Sequence, residues 1–368
     1  MMRSISIIFL VILMVSSPAK SGTLQTSETE NIPSLISSLR IDAPLEYCGE
    51  AVPIDNPEVR ERLEKEILLM LWDRAQVILW LKRSNRYMPH IEKILKENQM
   101  PDDLKYVPIV ESALLPHSGS HKGAIGFWQF MRETGNKYGL KINTRIDERR
   151  NFFASTDAAI RYFKELYAMF GSWTLSTAAY NMGEKGLESE MLIQKNNQYY
   201  QLYLPIETQR FVHRIVAVKL ILSNPERYGF NLKEEDLYPS LKFDRINLDC
   251  PAEIPIHVIA GAANTYFKAI KDLNPEIRGH TLARGRHTVL IPEGSADGFQ
   301  ERYQSLLSQW RAEEKGNIFY VVKAGDSLTA ISARFDIPLP ALAAWNGLDV
   351  NKPIHPGQKL IIYPSTAK

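Results

Sequence analysis

The sequence predicts an α+β multidomain protein, in which one long helical region is followed by two small mixed units. Apolar residues recur at helical spacing over about residues 56–230, and no alternating strand pattern interrupts that region. Residues 249–292 and 318–364 then look like two copies of one unit, each closing with a strand-like run. At 368 residues and 45% hydrophobic content, the chain is long enough for two or three domains with separate cores.

The helical region begins at Asn56-Pro57, a helix cap followed by proline at the first helical position. The first helix is expected to continue to about residue 82, and further helices are expected over 87–97 and 101–111. Pro108 should bend the last of these, because proline removes a backbone donor.

Three more helices are expected after a central loop. Asn151 opens one that ends at Gly171, the next covers Trp173–Tyr180, and a long one covers Glu207–Leu222. Each of these helices would have one apolar face to bury, which favours a compact helical domain.

The two C-terminal units share a further sequence feature. Each has a helix that ends near an asparagine, Asn274 in one and Asn346 in the other. Between them, residues 293–317 are polar and charged and contain a helical pattern, which indicates a helical spacer rather than a flexible linker.

Residues 1–20 have the pattern of a secretory signal peptide. Arg3 supplies a basic start, Ile5–Val15 is apolar, and Ser17-Pro18-Ala19 fits a cleavage site. The apolar stretch is short for a membrane span, and because no cysteine follows it directly, no lipid anchor is evident. We expect export to a periplasm, with residues 21–55 as an N-terminal extension. An uncleaved membrane anchor is the alternative.

The charge and the cysteine content bear on three features: nucleic-acid binding, a disulfide and a metal site. A net charge of +2 gives no support for nucleic-acid binding. An oxidising compartment permits a disulfide between Cys48 and Cys250, and two unpaired buried thiols are the equal alternative. Neither cysteine has a histidine or a second cysteine at metal-ligand spacing, so no metal and no cofactor are expected.

Glu111 is the leading catalytic candidate. Its sequence neighbours Val107, Ile109, Val110 and Leu114 are apolar, and partial burial raises a carboxyl pKa, as a general acid at neutral pH requires. A glutamate held in a salt bridge at a helix end is the alternative interpretation. No second carboxylate has a comparable sequence setting, so the pattern indicates a mechanism that uses a single carboxylic acid.

Polar groups that suit a sugar groove follow Glu111. The loop 116–125 is rich in serine, glycine and histidine, Gly126 allows close backbone approach, and Gln129 can both donate and accept hydrogen bonds. Tyr180 and Asn181 stand at the end of a helix that does not need them for packing. These spacings indicate a ligand rich in hydroxyl and amide groups.

The stretch ESALLPHSGSHKGAIGFWQF, the AYN triplet and the preceding LKYVPIV together resemble the catalytic domain of soluble lytic transglycosylases, over roughly residues 56–230. The resemblance implies a lysozyme-like domain that cleaves the β-1,4 bond between N-acetylmuramic acid and N-acetylglucosamine in peptidoglycan. It also implies cleavage without water, giving 1,6-anhydromuramoyl ends, with Glu111 as acid and then base. Peptidoglycan strands are the expected partner, and other cell-wall proteins are further candidates.

The same resemblance implies further site residues. Ser120 matches a hydroxyl near the substrate acetamido group, Gln129 and Tyr180 match groove-lining residues, and Asn181 matches a polar neighbour. Trp128 stands where many members have methionine, and it is expected to pack against the sugar or to shape the groove floor.

One position departs from the family pattern. The family usually has a tyrosine in the helix after a Pro-x-Glu-Thr element, and this sequence has Phe211 there. We expect that the missing phenol hydroxyl lowers activity or that another group substitutes for it.

The stretch YVVKAGDSLTAISARFDIPLPALAAWNGL, followed by IHPGQKLIIYP, resembles a LysM module, a β-α-α-β unit that binds glycans containing N-acetylglucosamine. The residues that match its two binding loops are Gly325, Asp326, Ser327, Leu328 and Ile354. Residues 249–292 resemble a degenerate copy without the Gly-Asp-Ser element, which puts its own glycan binding in doubt.

Two other functions fit these motifs. One is a goose-type lysozyme-like hydrolase, in which water replaces the muramoyl C6 hydroxyl as the nucleophile. The other is a non-catalytic peptidoglycan-binding protein, in which Glu111→Gln leaves sacculus turnover unchanged.

Overall fold

The computed structural model describes residues 33–315 and 318–363 and contains three separate hydrophobic cores. The predicted signal peptide, residues 1–20, lies outside the described residues. Within the described ranges, no helix is both long and apolar enough to cross a membrane.

The first core belongs to a helical region that ends near residue 230. Its two short strands, β1 and β2, form an antiparallel pair, and the helices α2, α4 and α7 pack against α9. The elements in chain order are α1 Leu35–Ser38, β1 Glu46–Tyr47, β2 Glu50–Ala51, α2 Pro57–Trp72, α3 Arg74–Glu97, α4 Val107–Ser112, α5 Arg132–Lys137, α6 Phe152–Phe170, α7 Trp173–Met182, α8 Glu184–Gln194 and α9 Ile206–Ser223.

Several local signals act as predicted. The Asn151 side chain accepts a hydrogen bond from the backbone of Ala154 at 2.9 Å and so opens α6, while Gly171, with φ of 64°, ends it. No strand interrupts residues 56–230, which confirms the all-helical character of that range. The short helices α5 and α8 were not predicted from the sequence, because neither has a long apolar repeat.

Three helix boundaries differ from the prediction. The break expected between residues 82 and 87 is absent, because α3 runs unbroken over Arg74–Glu97. The first helix does not run to residue 82, because Asp73 breaks it and caps α3 by accepting from the backbone of Gln76 at 3.2 Å. The predicted bend at Pro108 is instead a helix start. A 3₁₀ turn over Asp102–Tyr106 leads into α4, and Pro108 lies in its first turn, where a missing N–H costs nothing.

The second core lies in the first of the two C-terminal units. Its main strands, β3 and β6, pair antiparallel from Asp244 opposite Ile291 to Cys250 opposite Gly285. The elements are β3 Asp244–Cys250, β4 Ile254–Pro255, α10 Ile256–Ala262, α11 Phe267–Leu273, β5 Thr281–Leu282, β6 Gly285–Ile291 and α12 Phe299–Lys315.

Residues 293–317 were expected to form a helical spacer, and the position of α12 shows a different role. The helix is present, but Phe299, Tyr303 and Leu307 are buried in the second core. It is therefore part of this unit and not a spacer between units.

The third core is formed by β7 Ile318–Val321, α13 Leu328–Arg334, α14 Leu339–Trp345 and β8 Lys359–Ile362, with β7 and β8 antiparallel. Both C-terminal units thus contain the order β-α-α-β, to which the first unit adds the short pair β4–β5 and the helix α12, and both have the same asparagine contact in the core. The Asn274 amide donates to the carbonyls of Ile270 and Leu290 at 2.7 Å and accepts from the Leu290 backbone at 2.8 Å. Asn346 makes the equivalent three bonds in the third core.

Candidate active site

Glu111 lies at the end of the short helix α4, which packs against α9. The chain leaves the helix at once, because Ala113 and Leu114 both have left-handed backbones with φ of 54° and 58°. Glu111 itself is partly buried. The buried face of α4 is formed by Val107, Pro108, Ile109 and Ser112.

Burial raises the pKa of the Glu111 carboxyl to about 8. The positive charge of Arg214 acts in the opposite direction, and the negative charge of Glu207 adds to the rise. Arg214 and Glu207 form an ion pair with each other, so the arginine is not a dedicated partner of Glu111. The carboxyl is therefore mostly protonated at neutral pH and can donate a proton.

Ser112, the neighbour of Glu111, ties α4 to the loop that follows. Its hydroxyl donates to the Phe127 carbonyl at 2.8 Å and also lies 3.0 Å from the Pro108 carbonyl. The Glu-Ser pair therefore combines a reactive group with the anchor that fixes its position.

Tyr180 holds the same loop from the opposite side. Its hydroxyl donates to the Trp128 carbonyl at 2.6 Å, and its ring stacks on Phe163 with a centroid separation of 4.7 Å. Burial raises the pKa of Tyr180 well above its usual value, and the charge of Glu111 adds to the effect. The phenol therefore stays protonated, and it lies close enough to Glu111 for a Glu111 carboxylate to oppose its ionisation.

The structure excludes direct sugar contact by Trp128 in the position it occupies. The side chain is 1% exposed, and its indole nitrogen donates to the hydroxyl of Thr156 at 3.0 Å. The sequence suggested either contact or a role in the groove floor, and only the second agrees with this burial.

Gly126 and Gln129 shape the loop beneath the groove. A Cβ at Gly126 would lie 1.8 Å from the carbonyl oxygen of Arg149, so the close backbone approach at this glycine is to the chain itself. Gln129 has a positive φ of 48°, and its amide nitrogen donates to the carbonyls of Gly126 at 2.8 Å and Ser118 at 3.2 Å.

Ser120 and Asn181 lie at different depths. Ser120 is exposed, and its hydroxyl accepts from the Ala124 backbone at 3.1 Å. Asn181 is partly buried and accepts from the hydroxyl of Thr208 at 2.9 Å. Thr208 belongs to the Pro-x-Glu-Thr element, whose contribution to the site was missed in the sequence because its polar contacts are to residues far away in the chain.

Phe211 is 2% exposed and belongs to the first hydrophobic core. Its ring therefore packs inside the domain. Glu207 and Arg214, one turn before and one turn after it on α9, are the charged groups of this helix that influence Glu111. They were not singled out from the sequence either.

The disulfide considered for Cys48 and Cys250 is not formed, and both thiols are free. Cys48 follows β1 in the first core region, whereas Cys250 is 1% exposed at the end of β3 in the second core. Within the described ranges, no group of three or more histidine, cysteine or acidic residues is arranged to hold a metal ion.

In the last unit, several residues matched to glycan-binding loops have internal partners. The Asp326 carboxylate accepts from the Tyr320 hydroxyl at 2.6 Å and the Lys323 backbone at 2.8 Å. Ser327 caps α13, Leu328 is 6% exposed, and Ile354 packs partly against the third core. This polar network fixes the loop shape, with Gly325 at φ of 88° making the turn.

Comparisons with known proteins agree with this arrangement. The Transglycosylase SLT domain family matches residues 88–202, and the LysM domain family matches residues 320–362. The chain is 34% identical over 330 residues to membrane-bound lytic murein transglycosylase D of Escherichia coli K12, covering 86% of this chain and 72% of that protein. The relative of the same name from E. coli O6:H1 gives the same values.

A shorter match is to a putative tributyltin chloride resistance protein of an Alteromonas species, 31% identical over 110 residues, or 29% of this chain and 53% of that protein. The two longer matches, over 86% of this chain, span both the helical region and the C-terminal units, and they carry the conclusion. The chain belongs to the family of lytic murein transglycosylases, with a Transglycosylase SLT domain and a LysM domain.

Proposed function

We propose that Glu111 is the single acid and base of this peptidoglycan lytic transglycosylase. The observation that carries the proposal is the partly buried carboxyl at the end of α4, whose pKa burial raises to about 8. Glu207, the one other carboxylate that influences it, is largely exposed and paired with Arg214. A second catalytic carboxylate, as paired glycosidases use, has no candidate among these neighbours.

The reaction then balances with one carboxyl group. Protonated Glu111 gives its proton to the glycosidic oxygen as the bond to muramoyl C1 breaks, which leaves the 4-hydroxyl of N-acetylglucosamine and a Glu111 carboxylate. The muramoyl C6 hydroxyl attacks C1, and its proton passes to Glu111. The enzyme returns to its protonated form, and the products are an anhydro end and a free hydroxyl with no water consumed.

Substrate contacts are proposed for the residues around Glu111. Ser120 and Asn181 offer polar groups to the acetamido and hydroxyl groups of the sugars, and Gln129 offers its amide oxygen. Tyr180 acts by holding the backbone at Trp128, since its own proton already has an acceptor. The substrate acetamido group stabilises the cation-like centre at C1.

Digestion of purified murein sacculi tests the mechanism. Wild type is expected to release muropeptides that are one water lighter than their reducing-end counterparts in mass spectrometry. Glu111→Gln should release none while keeping the same circular dichroism spectrum. Glu188→Gln, an exposed glutamate on α8, is the matched control and should retain full activity.

The digestion also decides between attack by the C6 hydroxyl and attack by water. Reducing ends in place of anhydro ends would contradict the proposal and assign hydrolysis. Release by Glu111→Gln at the wild-type rate would contradict the role of Glu111 itself.

We also propose that residues 1–20 direct export to the periplasm and that the LysM unit retains the enzyme on glycan strands. The support is the signal-like pattern before residue 21 and the ordered loop around Asp326. Cell fractionation and the N-terminal sequence of the mature protein test the first point. A full-length precursor in the membrane fraction would favour an uncleaved anchor, and other cell-wall partners would appear in cross-linking of living cells.

A further inference from the structure

A buried arginine, Arg149, braces the loop that carries the active site. It is 2% exposed, and its guanidinium makes a two-point contact with the Asp147 carboxylate at 2.9 and 2.8 Å. The remaining nitrogen donates to the carbonyl of Gly123 at 3.0 Å and to that of Phe130 at 3.2 Å. One side chain thus fixes both ends of the loop Gly123–Phe130.

The braced loop holds the groups around Glu111. Its Phe127 carbonyl receives the Ser112 hydroxyl, and its Trp128 carbonyl receives the Tyr180 hydroxyl. The backbone of Arg149 also presses on Gly126, where no side chain would fit. A displacement of Arg149 must therefore move the loop to which the catalytic helix is tied.

The segment that presents this brace is held by the second core's unit. The backbone of Asp147 donates to the Glu276 carbonyl at 2.9 Å, and that of Arg278 donates to the Arg145 carbonyl at 2.8 Å. Ile146 pairs with Ile277 in an isolated antiparallel bridge and packs against the second core. Residues 145–147 and 276–278 therefore form a short two-stranded junction between the two regions.

The centre of the junction is buried, with Asp147, Glu276 and Ile277 each at most 7% exposed. Glu276 is 7% exposed, one of its carboxyl oxygens has no hydrogen-bond partner, and burial raises its pKa to about 7. At the edge, Arg145 forms an ion pair with Glu253. A junction with a buried centre and paired backbone groups holds its two sides in a fixed relation.

The unit meets this junction at Glu253, in the loop that corresponds to the first loop matched to glycan binding in the last unit. The two units correspond at a constant spacing, with Ile256 and Leu328 starting their first helices and Asn274 and Asn346 closing their second. At that spacing, Glu253 stands in the place of Gly325. Glu253 is bonded to the helical region, and the following residues form β4, which pairs with β5.

We propose that residues 244–291 form a positioning module that does not bind glycan and instead docks against residues 145–147 of the helical region. The module holds Asp147 and Arg149 in place, so that the loop beside Glu111 stays in its catalytic geometry. Asp147 and Arg149 are positioning residues, since both are 2% exposed and act through the loop.

The test uses full-length protein with changes at the junction. Ile146→Asp places a charge against the second core without altering the side chains inside either core, and Ile146→Val is its conservative counterpart. Arg149→Lys keeps the charge but loses the two-point contact, and it tests the brace directly. Arg245→Ala removes another contact between the two regions, over the Phe153 ring, and serves as control.

Hydrogen exchange of the loop Gly123–Phe130 is the first measurement, because it does not depend on catalysis. Ile146→Asp and Arg149→Lys should both speed exchange at Gly126 and Gln129, while Ile146→Val and Arg245→Ala match wild type. On soluble glycan strands, kcat should fall about tenfold or more in the first two variants with little change in KM, since misplaced groups lose rate more than binding.

Two outcomes would overturn the proposal. One is unchanged loop exchange and unchanged kcat in Ile146→Asp and Arg149→Lys, with folding confirmed by circular dichroism. The other is binding of N-acetylglucosamine oligomers at residues 244–291 of the full-length protein, seen as protection from exchange at β4 and β5.

Discussion

Glu111→Gln is expected to stabilise the folded protein at neutral pH while it removes activity. The carboxyl has a pKa of about 8 when folded and an ordinary value of 4.5. Below pH 4.5 it is protonated in both states and contributes no penalty. As the pH rises from 4.5 towards 8, the unfolded chain ionises while the folded protein does not, so stability is lost over this interval.

The magnitude follows from the two pKa values. Each pH unit in the interval costs about 1.36 kcal/mol of unfolding free energy. The penalty is therefore about 1 kcal/mol at pH 5 and about 3 kcal/mol at pH 7, which lies about 2.5 pH units above 4.5. Glutamine is a neutral group of similar size and removes this pH-dependent term.

Urea unfolding at pH 5, 6, 7 and 8 measures the effect. Tryptophan fluorescence, recorded on proteins in which Trp310 and Trp345 of the C-terminal units are replaced by phenylalanine, reports unfolding of the helical region, where Trp128 is buried in the first core. The advantage of Glu111→Gln over wild type should grow steadily from pH 5 to pH 8, while Glu188→Gln follows wild type. A difference that is independent of pH, or a wild type more stable than Glu111→Gln at pH 8, would refute the raised pKa.

Three further outcomes are expected. Phe211→Tyr should change sacculus turnover by no more than about tenfold, because one neutral hydrogen bond contributes little; an inactive wild type beside an active Phe211→Tyr would contradict this. Gly126→Ala, forced against the Arg149 carbonyl at a positive φ, should lower the unfolding free energy by about 3 kcal/mol and reduce kcat, measured by thermal melting and digestion. Asp326→Ala removes the acceptor of the Tyr320 hydroxyl and should weaken sacculus pull-down about tenfold, with turnover of soluble strands unchanged; equal pull-down would count against glycan binding by this loop.

Much of the helical architecture was predictable because its signals are local. Asn56 and Asn151 cap α2 and α6 through hydrogen bonds to residues two or three positions away, and Gly171 ends α6 by its own backbone angle. The boundary errors at Asp73 and Pro108 arose where an apolar repeat continued across a local stop signal.

The candidate site was predictable only in part. The family resemblance placed Glu111, Gln129, Tyr180 and Asn181 in one groove region, but it could not give the burial of Trp128. That burial depends on contact with Thr156 and Phe163, on a helix that the chain reaches only later.

By itself, the sequence determined the fold class, the family motifs and the presence of one carboxylic acid without a catalytic partner. Only the tertiary structure decided that Ser112 and Tyr180 anchor a loop, that Cys48 and Cys250 stay apart, and that residues 276–278 support Asp147. The physical reason is the sequence separation of the interacting residues. Caps and turns are set by bonds between near neighbours, whereas the electrostatics and the bracing of Glu111 depend on groups that meet only when distant segments pack.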